Sequence, residues 1–118
     1  FLHFYNRRNM ESARTDDLNL VETATRFAAL GSEQRLSVLR ILVRAGPAGL
    51  SIGELGQRAG VTGSTLTHHM RILSQAGLVA QQRDGRRIIC IAAAYDEVRG
   101  LCDFLLRECC ADTECRHD

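Results

Sequence analysis

Three of the five cysteines in this 118-residue chain, Cys109, Cys110 and Cys115, lie within the last ten residues, while Cys90 and Cys102 stand apart. An odd number crowded at one end does not make a disulfide framework. Thiolates are soft ligands and redox-active groups, so the cluster points to a site for a thiophilic ion or to a thiol switch. The His68-His69 pair is a poorer metal site, because neighbours diverge by about 100° around a helix and no Cys or second acid completes a ligand set nearby. No Ser/His/Asp, Cys/His or paired-carboxylate arrangement occurs where a pocket would form, which argues against an enzyme.

The other side chains with chemistry to offer are arginines. All fifteen basic residues are Arg and the net charge is +1, which alone says nothing about partners. Their distribution says more. From Arg58 to Arg87 the arginines Arg58, Arg71, Arg83, Arg86 and Arg87 face Asp84 alone, whereas from Asp96 onward seven acids face three Arg. A basic middle beside an acidic end fits a DNA-facing surface with a separate regulatory or dimerising end. Ordinary solvated surface is the other reading of the same charges.

Those groups must be positioned by a small domain. With 45% apolar and 5% aromatic residues and no Trp, the chain suits one aliphatic core and not a disordered polymer. No apolar stretch approaches the ~20 residues that span a bilayer, and no secretory leader is evident, so a cytoplasmic, membrane-free protein is expected. Residues 1–15 show no period and are expected to be a flexible or vector-derived arm. Residues 16–109 form the folded domain and residues 110–118 a flexible cysteine-containing tail.

Asp16 and Asp17 can cap a first helix with Leu18, Val21, Ala24 and Ala28 at three- and four-residue spacing. Ser32 caps a second, whose band of Leu36, Leu39, Ile41, Leu42 and Val43 is wide enough to be mostly buried, and Gly46-Pro47 ends it. Ser51 and Glu54 make a capping box for a short third helix with Ile52 and Leu55 inward and Gly60 as its stop. Thr62 or Ser64 opens a fourth, running to about Ala76 with Leu66, Met70 and Leu73 on one face. Two helices joined by a tight Gly-containing turn make a helix-turn-helix.

Gly77 closes the fourth helix, after which Leu78 to Arg83, Asp84-Gly85 and Arg86 to Ile91 read as strand, hairpin turn and strand. Such a wing carries Arg83, Arg86 and Arg87 at its tip, against the sugar-phosphate backbone or a minor groove. A final helix from about Ala94 to Cys109 aligns Val98, Leu101, Cys102, Leu105 and Cys109, and with Leu18, Val21 and Ala28 supplies a dimer seam. The expected fold is mainly α with a β-hairpin wing, a winged helix-turn-helix that forms a homodimer through its terminal helices.

In that fold Ser64, Thr65, Thr67, His68 and Arg71 point from the fourth helix toward the major groove of double-stranded DNA. Arg71 is the expected base reader, since a guanidinium donates two parallel hydrogen bonds to guanine. Ser64 and Thr65 serve as caps or phosphate contacts before base readers, and His69 is expected to be partly packed.

From about Leu20 to Ala111 the chain resembles the arsenical-resistance repressor family of ArsR/SmtB type. The resemblance is carried by Ala29-Leu30-Gly31-Ser32-Glu33-Gln34-Arg35-Leu36, by the run Ser64 to Leu73, by Ala76-Gly77-Leu78-Val79 and by Arg83-Asp84-Gly85-Arg86. It implies a small homodimeric winged-helix repressor that leaves DNA on binding a metal ion or metalloid. Two of the family's sensing patterns are absent: Ser51 to Gly60 contains no Cys, and Asp103 has no His near it on the final helix.

The C-terminus instead resembles arsenite sensors that end in a vicinal Cys pair plus a third Cys. This implies that Cys109, Cys110 and Cys115 bind arsenite or antimonite as inducer, with no catalytic cofactor. Three thiolates suit the pyramidal coordination of these ions better than a four-ligand zinc site. Cadmium, lead, mercury or zinc sensing, a thiol redox switch, and ligand-independent architectural DNA binding are the alternatives. Cys102 is expected to be a buried core thiol and Cys90 a structural one.

Overall fold

Residues 19–61 and 63–113 are described in a computed structural model of the chain. The 1–15 arm, the Asp16/Asp17 cap, Leu18, Thr62 and Cys115 lie outside the described residues. In chain order the elements are helix α1 over 19–29, α2 (Glu33–Ala45), strand β1 (Leu50–Ser51), α3 (Ile52–Ala59), α4 (Gly63–Gln75), β2 (Val79–Asp84), β3 (Arg87–Ala92) and α5 (Tyr95–Leu106). This is the expected winged helix-turn-helix: mainly helical, with α3 and α4 as the motif and the β2–β3 hairpin as the wing.

The boundaries have local causes. Ser32 Oγ accepts the Arg35 N–H at 3.4 Å to start α2, and Gly46, at φ 79°, ends it. At the start of α3, Ser51 Oγ accepts the Glu54 N–H at 3.2 Å and donates to the Glu54 carboxylate at 3.0 Å. Serine and glutamate thus hold the first turn reciprocally, satisfying a donor that the helix itself leaves open.

The core is a single aliphatic cluster. Val38, Leu39 and Leu42 of α2, Leu55 of α3, and Leu66, Met70 and Leu73 of α4 meet Leu78, Val79 and Cys90 of the wing base. Burying each such side chain contributes about 1.5–3 kcal/mol relative to leaving it in water. The apolar band of α2 is narrower than its sequence implies. Leu36 and Val43 are about half exposed, while Val38, absent from the expected interior set, is fully buried. The 3.6-residue period places Val38, Leu39 and Leu42 on one stripe and leaves the flanking apolar residues outside it.

The sheet has three antiparallel strands in the order β1-β3-β2, with Leu50 opposite Cys90 and Ser51 opposite Ile89. The sequence reading contained only the hairpin, since a two-residue strand has no period to detect. Gly49 permits the approach: a Cβ there would run into the Cys90 carbonyl, and its φ of +69° favours glycine. The wing turn also differs from expectation. Asp84 pairs with Arg87, so the loop is Gly85-Arg86 and not Asp84-Gly85. Gly85 has φ 63° and Arg86 is not in the positive region. A glycine first in a two-residue loop is the II′ arrangement, which spares Asp84 a left-handed backbone.

Within the single chain the terminal helices leave in solvent the apolar residues expected of a dimer seam, while Cys102 and the end of α5 differ from expectation. On α1, Val21, Ala24 and Ala28 are exposed and Ala29 is the buried residue. On α5 only Leu101 is buried, Leu105 and Cys102 are exposed, and the helix stops at Leu106 instead of reaching Cys109. Cys102 is therefore not a core thiol within the single chain: its side of α5 faces away from the one core that the other helices share.

Candidate nucleic-acid interface

Helix α4 sorts its side chains cleanly. Leu66, His69, Met70 and Leu73 are buried, whereas Ser64, Thr65, Thr67, His68 and Arg71 are exposed. The helix contains no acid, so nothing on it repels phosphate, and the partial positive charge of its N-terminus stands beside Ser64 and Thr65. Thr67 Oγ1 donates back to the Gly63 carbonyl at 3.3 Å, which leaves the hydroxyl's lone pairs, but not its proton, for an outside partner. All five expected residues of this helix thus share the outward side, with His68 outward and His69 inward as anticipated.

On the wing, Arg83, Arg86 and Arg87 are exposed. Arg87 differs from the other two in donating from Nη2 to Glu54 Oε1 at 3.3 Å. Glu54 therefore serves twice, capping α3 and anchoring the wing to the helix-turn-helix. That ion pair is well exposed and worth little to stability; it links the turn end of β3 to the first turn of α3. Arg86 lies in the turn itself.

His69 was legible as packed, although not with its partner. Its Nε2 lies 2.6 Å from Gln34 Oε1 on α2, and since an amide oxygen only accepts, Nε2 carries the proton and donates. Nδ1 is then a bare lone pair, buried without a hydrogen-bond partner. Burial first, then the charges of Arg35 and His68, hold the imidazole pKa below its usual value. A second tertiary tie, Arg26 Nε to the Ala76 carbonyl at 3.1 Å, reaches the far end of α4 from α1. Sequence separations of 35 and 50 residues leave no local signal for either contact.

The cysteines fall into three environments. Cys90 is fully buried in β3, where desolvation pushes its thiol pKa up; it is structural, as expected. Cys102 is exposed on α5. Beyond α5 the chain turns repeatedly, with Cys109 N–H to Leu106 at 2.9 Å, Ala111 N–H to Glu108 at 2.9 Å and Thr113 N–H to Cys110 at 3.1 Å. Outside a regular helix the two adjacent sulfurs converge to 3.6 Å. Cys110 adopts φ 61° and is disulfide-bonded. Among the described residues no three His, Cys, Asp or Glu side chains form a metal-ion group. Next to Cys109 an open cleft of about 490 Å³ is lined by Leu20, Phe104, Leu105 and Leu106.

Comparison with known proteins agrees with this geometry. Residues 30–82 match a helix-turn-helix domain family. The HTH-type transcriptional regulator NmtR of Mycobacterium tuberculosis is 34% identical over 87 residues, 74% of this chain and 70% of that protein. A solved ArsR-like transcriptional regulator from Rhodococcus sp. RHA1 superposes with a TM-score of 0.64 at 31% identity, covering 75% of this chain and 80% of that one. The chain belongs to the ArsR/SmtB-like family of winged-helix transcriptional regulators. The uncharacterized HTH-type regulator YceK of Bacillus subtilis is 38% identical over 60 residues, and the match spans 51% of this chain but only 59% of that relative, under two thirds of its length. As an ArsR/SmtB-like regulator, this is a DNA-binding protein. No helix among its described residues is long and apolar enough to cross a membrane.

Proposed function

We propose that this chain is a cytoplasmic repressor that binds an inverted-repeat operator as a homodimer and releases it when arsenite or antimonite binds Cys109, Cys110 and Cys115. The observation that supports the sensing half is the approach of the Cys109 and Cys110 sulfurs to 3.6 Å; Cys110, disulfide-bonded in this structure, becomes a ligand once reduced. One thiophilic ion with bonds to sulfur of about 2.3 Å spans such a gap. A trivalent ion takes a third thiolate, the role given to Cys115. The turns that carry the pair continue directly from α5, so ligation there pulls on that helix.

Dimerisation is supported by the apolar residues that α1 and α5 leave in solvent: Leu20, Val21, Phe27, Leu105 and Leu106 are all more than two-fifths exposed. A second copy covering them places two recognition helices in successive major grooves, about 34 Å apart, and a shift of the seam changes that spacing. Ser64, Thr65, Thr67, His68 and Arg71 read or seat the major groove, while Arg83, Arg86 and Arg87 meet the backbone.

The disulfide at Cys110 favours a second reading, in which oxidation of the tail thiols is itself the signal. Fluorescence anisotropy of an operator duplex at fixed salt separates the two. In reductant, arsenite releases the DNA and binds one ion per subunit with loss of three reactive thiols. Cys109→Ser, Cys110→Ser and Cys115→Ser variants bind DNA but ignore arsenite. Release by oxidant alone, with no arsenite response in reductant, establishes the redox reading. Release that survives all three substitutions removes the C-terminal site.

A further inference from the structure

Helix α4 carries no basic residue in its last turn, so the partially negative end of its dipole has no compensating charge of its own. Most of its terminal carbonyls are satisfied locally. Leu78 N–H bonds the Leu73 carbonyl at 3.0 Å and Gly77 N–H bonds that of Ser74 at 3.0 Å, the two bonds of a Schellman motif. The Ala76 carbonyl lies outside that pair, and it accepts from Arg26 Nε at 3.1 Å. The Arg26 guanidinium passes close over Gly77, its Nη2 being 3.5 Å from where a Cβ would stand.

Arg26 belongs to α1, and it also lines an open cleft of about 220 Å³ with Asp96, Glu97, Phe104 and Arg107 of the α5 segment. The end of the recognition helix and α1 therefore meet at one guanidinium, beside a cleft that α5 also lines.

We propose that Arg26 is a positioning residue for DNA reading, holding the C-terminal end of α4 so that the tilt of the recognition helix is set from the α1–α5 side of the molecule. This rests on the DNA-binding reading above and is independent of the inducer's identity. The helix is about 20 Å long at 1.5 Å per residue, so a small displacement at Ala76 swings Ser64 to His68 at the other end. Leu66, Met70 and Leu73 seat the helix and the His69–Gln34 bond ties its middle to α2, while the Arg26 bond is the polar tie at its C-terminal end. Base readout demands a set tilt; phosphate attraction does not.

The test uses the full chain as wild type, Arg26→Ala and Arg26→Lys, with a duplex selected from a random-sequence pool and a scrambled duplex. The Ala variant is expected to lose about tenfold in preference for the selected duplex, with scrambled affinity and salt slope unchanged. Amide exchange of Ala76, Gly77 and Leu78 should quicken, and Lys should restore part of both. A salt slope reduced by about 0.9 makes Arg26 a phosphate contact and overturns the proposal. So does a lowered Tm with preference intact, which makes the residue merely structural. If the wild type prefers no duplex at all, the DNA reading falls, and the exchange rates alone decide whether Arg26 holds the helix end.

Discussion

Helices α4 and α5 have 13 and 12 residues and both have an apolar side, yet α4 buries Leu66, His69, Met70 and Leu73 while α5 buries Leu101 alone. The difference is one of available partners. Helix α4 finds α2, α3 and the wing base within its own chain and is fastened by polar ties at Gln34 and Arg26. For α5, the apolar residues Leu105 and Leu106 are not covered by any of the described residues. Helix α4 is thus complete inside one subunit, whereas α5 leaves an apolar face for a second one.

The largest effect expected from that contrast is on folding. Met70→Ala on α4 should cost about 2–5 kcal/mol in denaturant unfolding, as truncation in a packed core leaves a cavity. Leu105→Ala on α5 should leave the unfolding of the subunit within about 0.5 kcal/mol but weaken dimerisation in sedimentation. Equal destabilisation by the two would break the distinction between the helices.

Next in size are the DNA contacts. Arg71→Ala should cost about 1–3 kcal/mol of discrimination between the operator and a point-substituted duplex. Arg86→Ala should weaken all duplexes alike and lower the salt slope by about 0.9. Arg87→Ala should do less than Arg86→Ala, because Arg87 is already engaged by Glu54. Anisotropy across a salt series distinguishes the three, and identical ratios of specific to non-specific loss would sink the division between helix and wing.

A smaller effect follows from His69, whose folded pKa lies below the 6.5 usual for histidine. The unfolded chain then takes up the proton before the folded one does. Stability should be full above about pH 6.5 and fall as pH drops from there toward the folded pKa. His69→Gln should remove that slope in urea titrations, whereas His68→Gln on the exposed side should keep it. The smallest expected effect is at Cys102: Cys102→Ser should leave both stability and the arsenite response unchanged, because its thiol is exposed and apart from the tail pair.

Much of this protein was determined locally and is readable residue by residue. Ser32, Ser51 with Glu54, Gly60 and Gly77 mark helix ends because their side chains, or the lack of one, act on backbone groups no more than a few residues away. The four- and three-residue spacing of Leu66, Met70 and Leu73 fixes the inner side of α4, and therefore the outer side that carries Ser64, Thr65, Thr67, His68 and Arg71. The helix-turn-helix, the wing and its arginines followed from such rules, and so did the ArsR/SmtB resemblance.

Tertiary structure decided what depends on a distant neighbour. A two-residue β1 exists only because β3 pairs with it, and the loop moved to Gly85-Arg86 because the strand register, not the Asp-Gly dipeptide, set the turn. Leu36, Val43 and Cys102 are apolar or soft side chains whose burial depends on whether another element faces them, and among the described residues none buries them. The ties from Gln34 to His69 and from Arg26 to Ala76 join residues far apart in sequence through directional bonds. Their partners are chosen by how whole helices pack, and no local spacing encodes that choice.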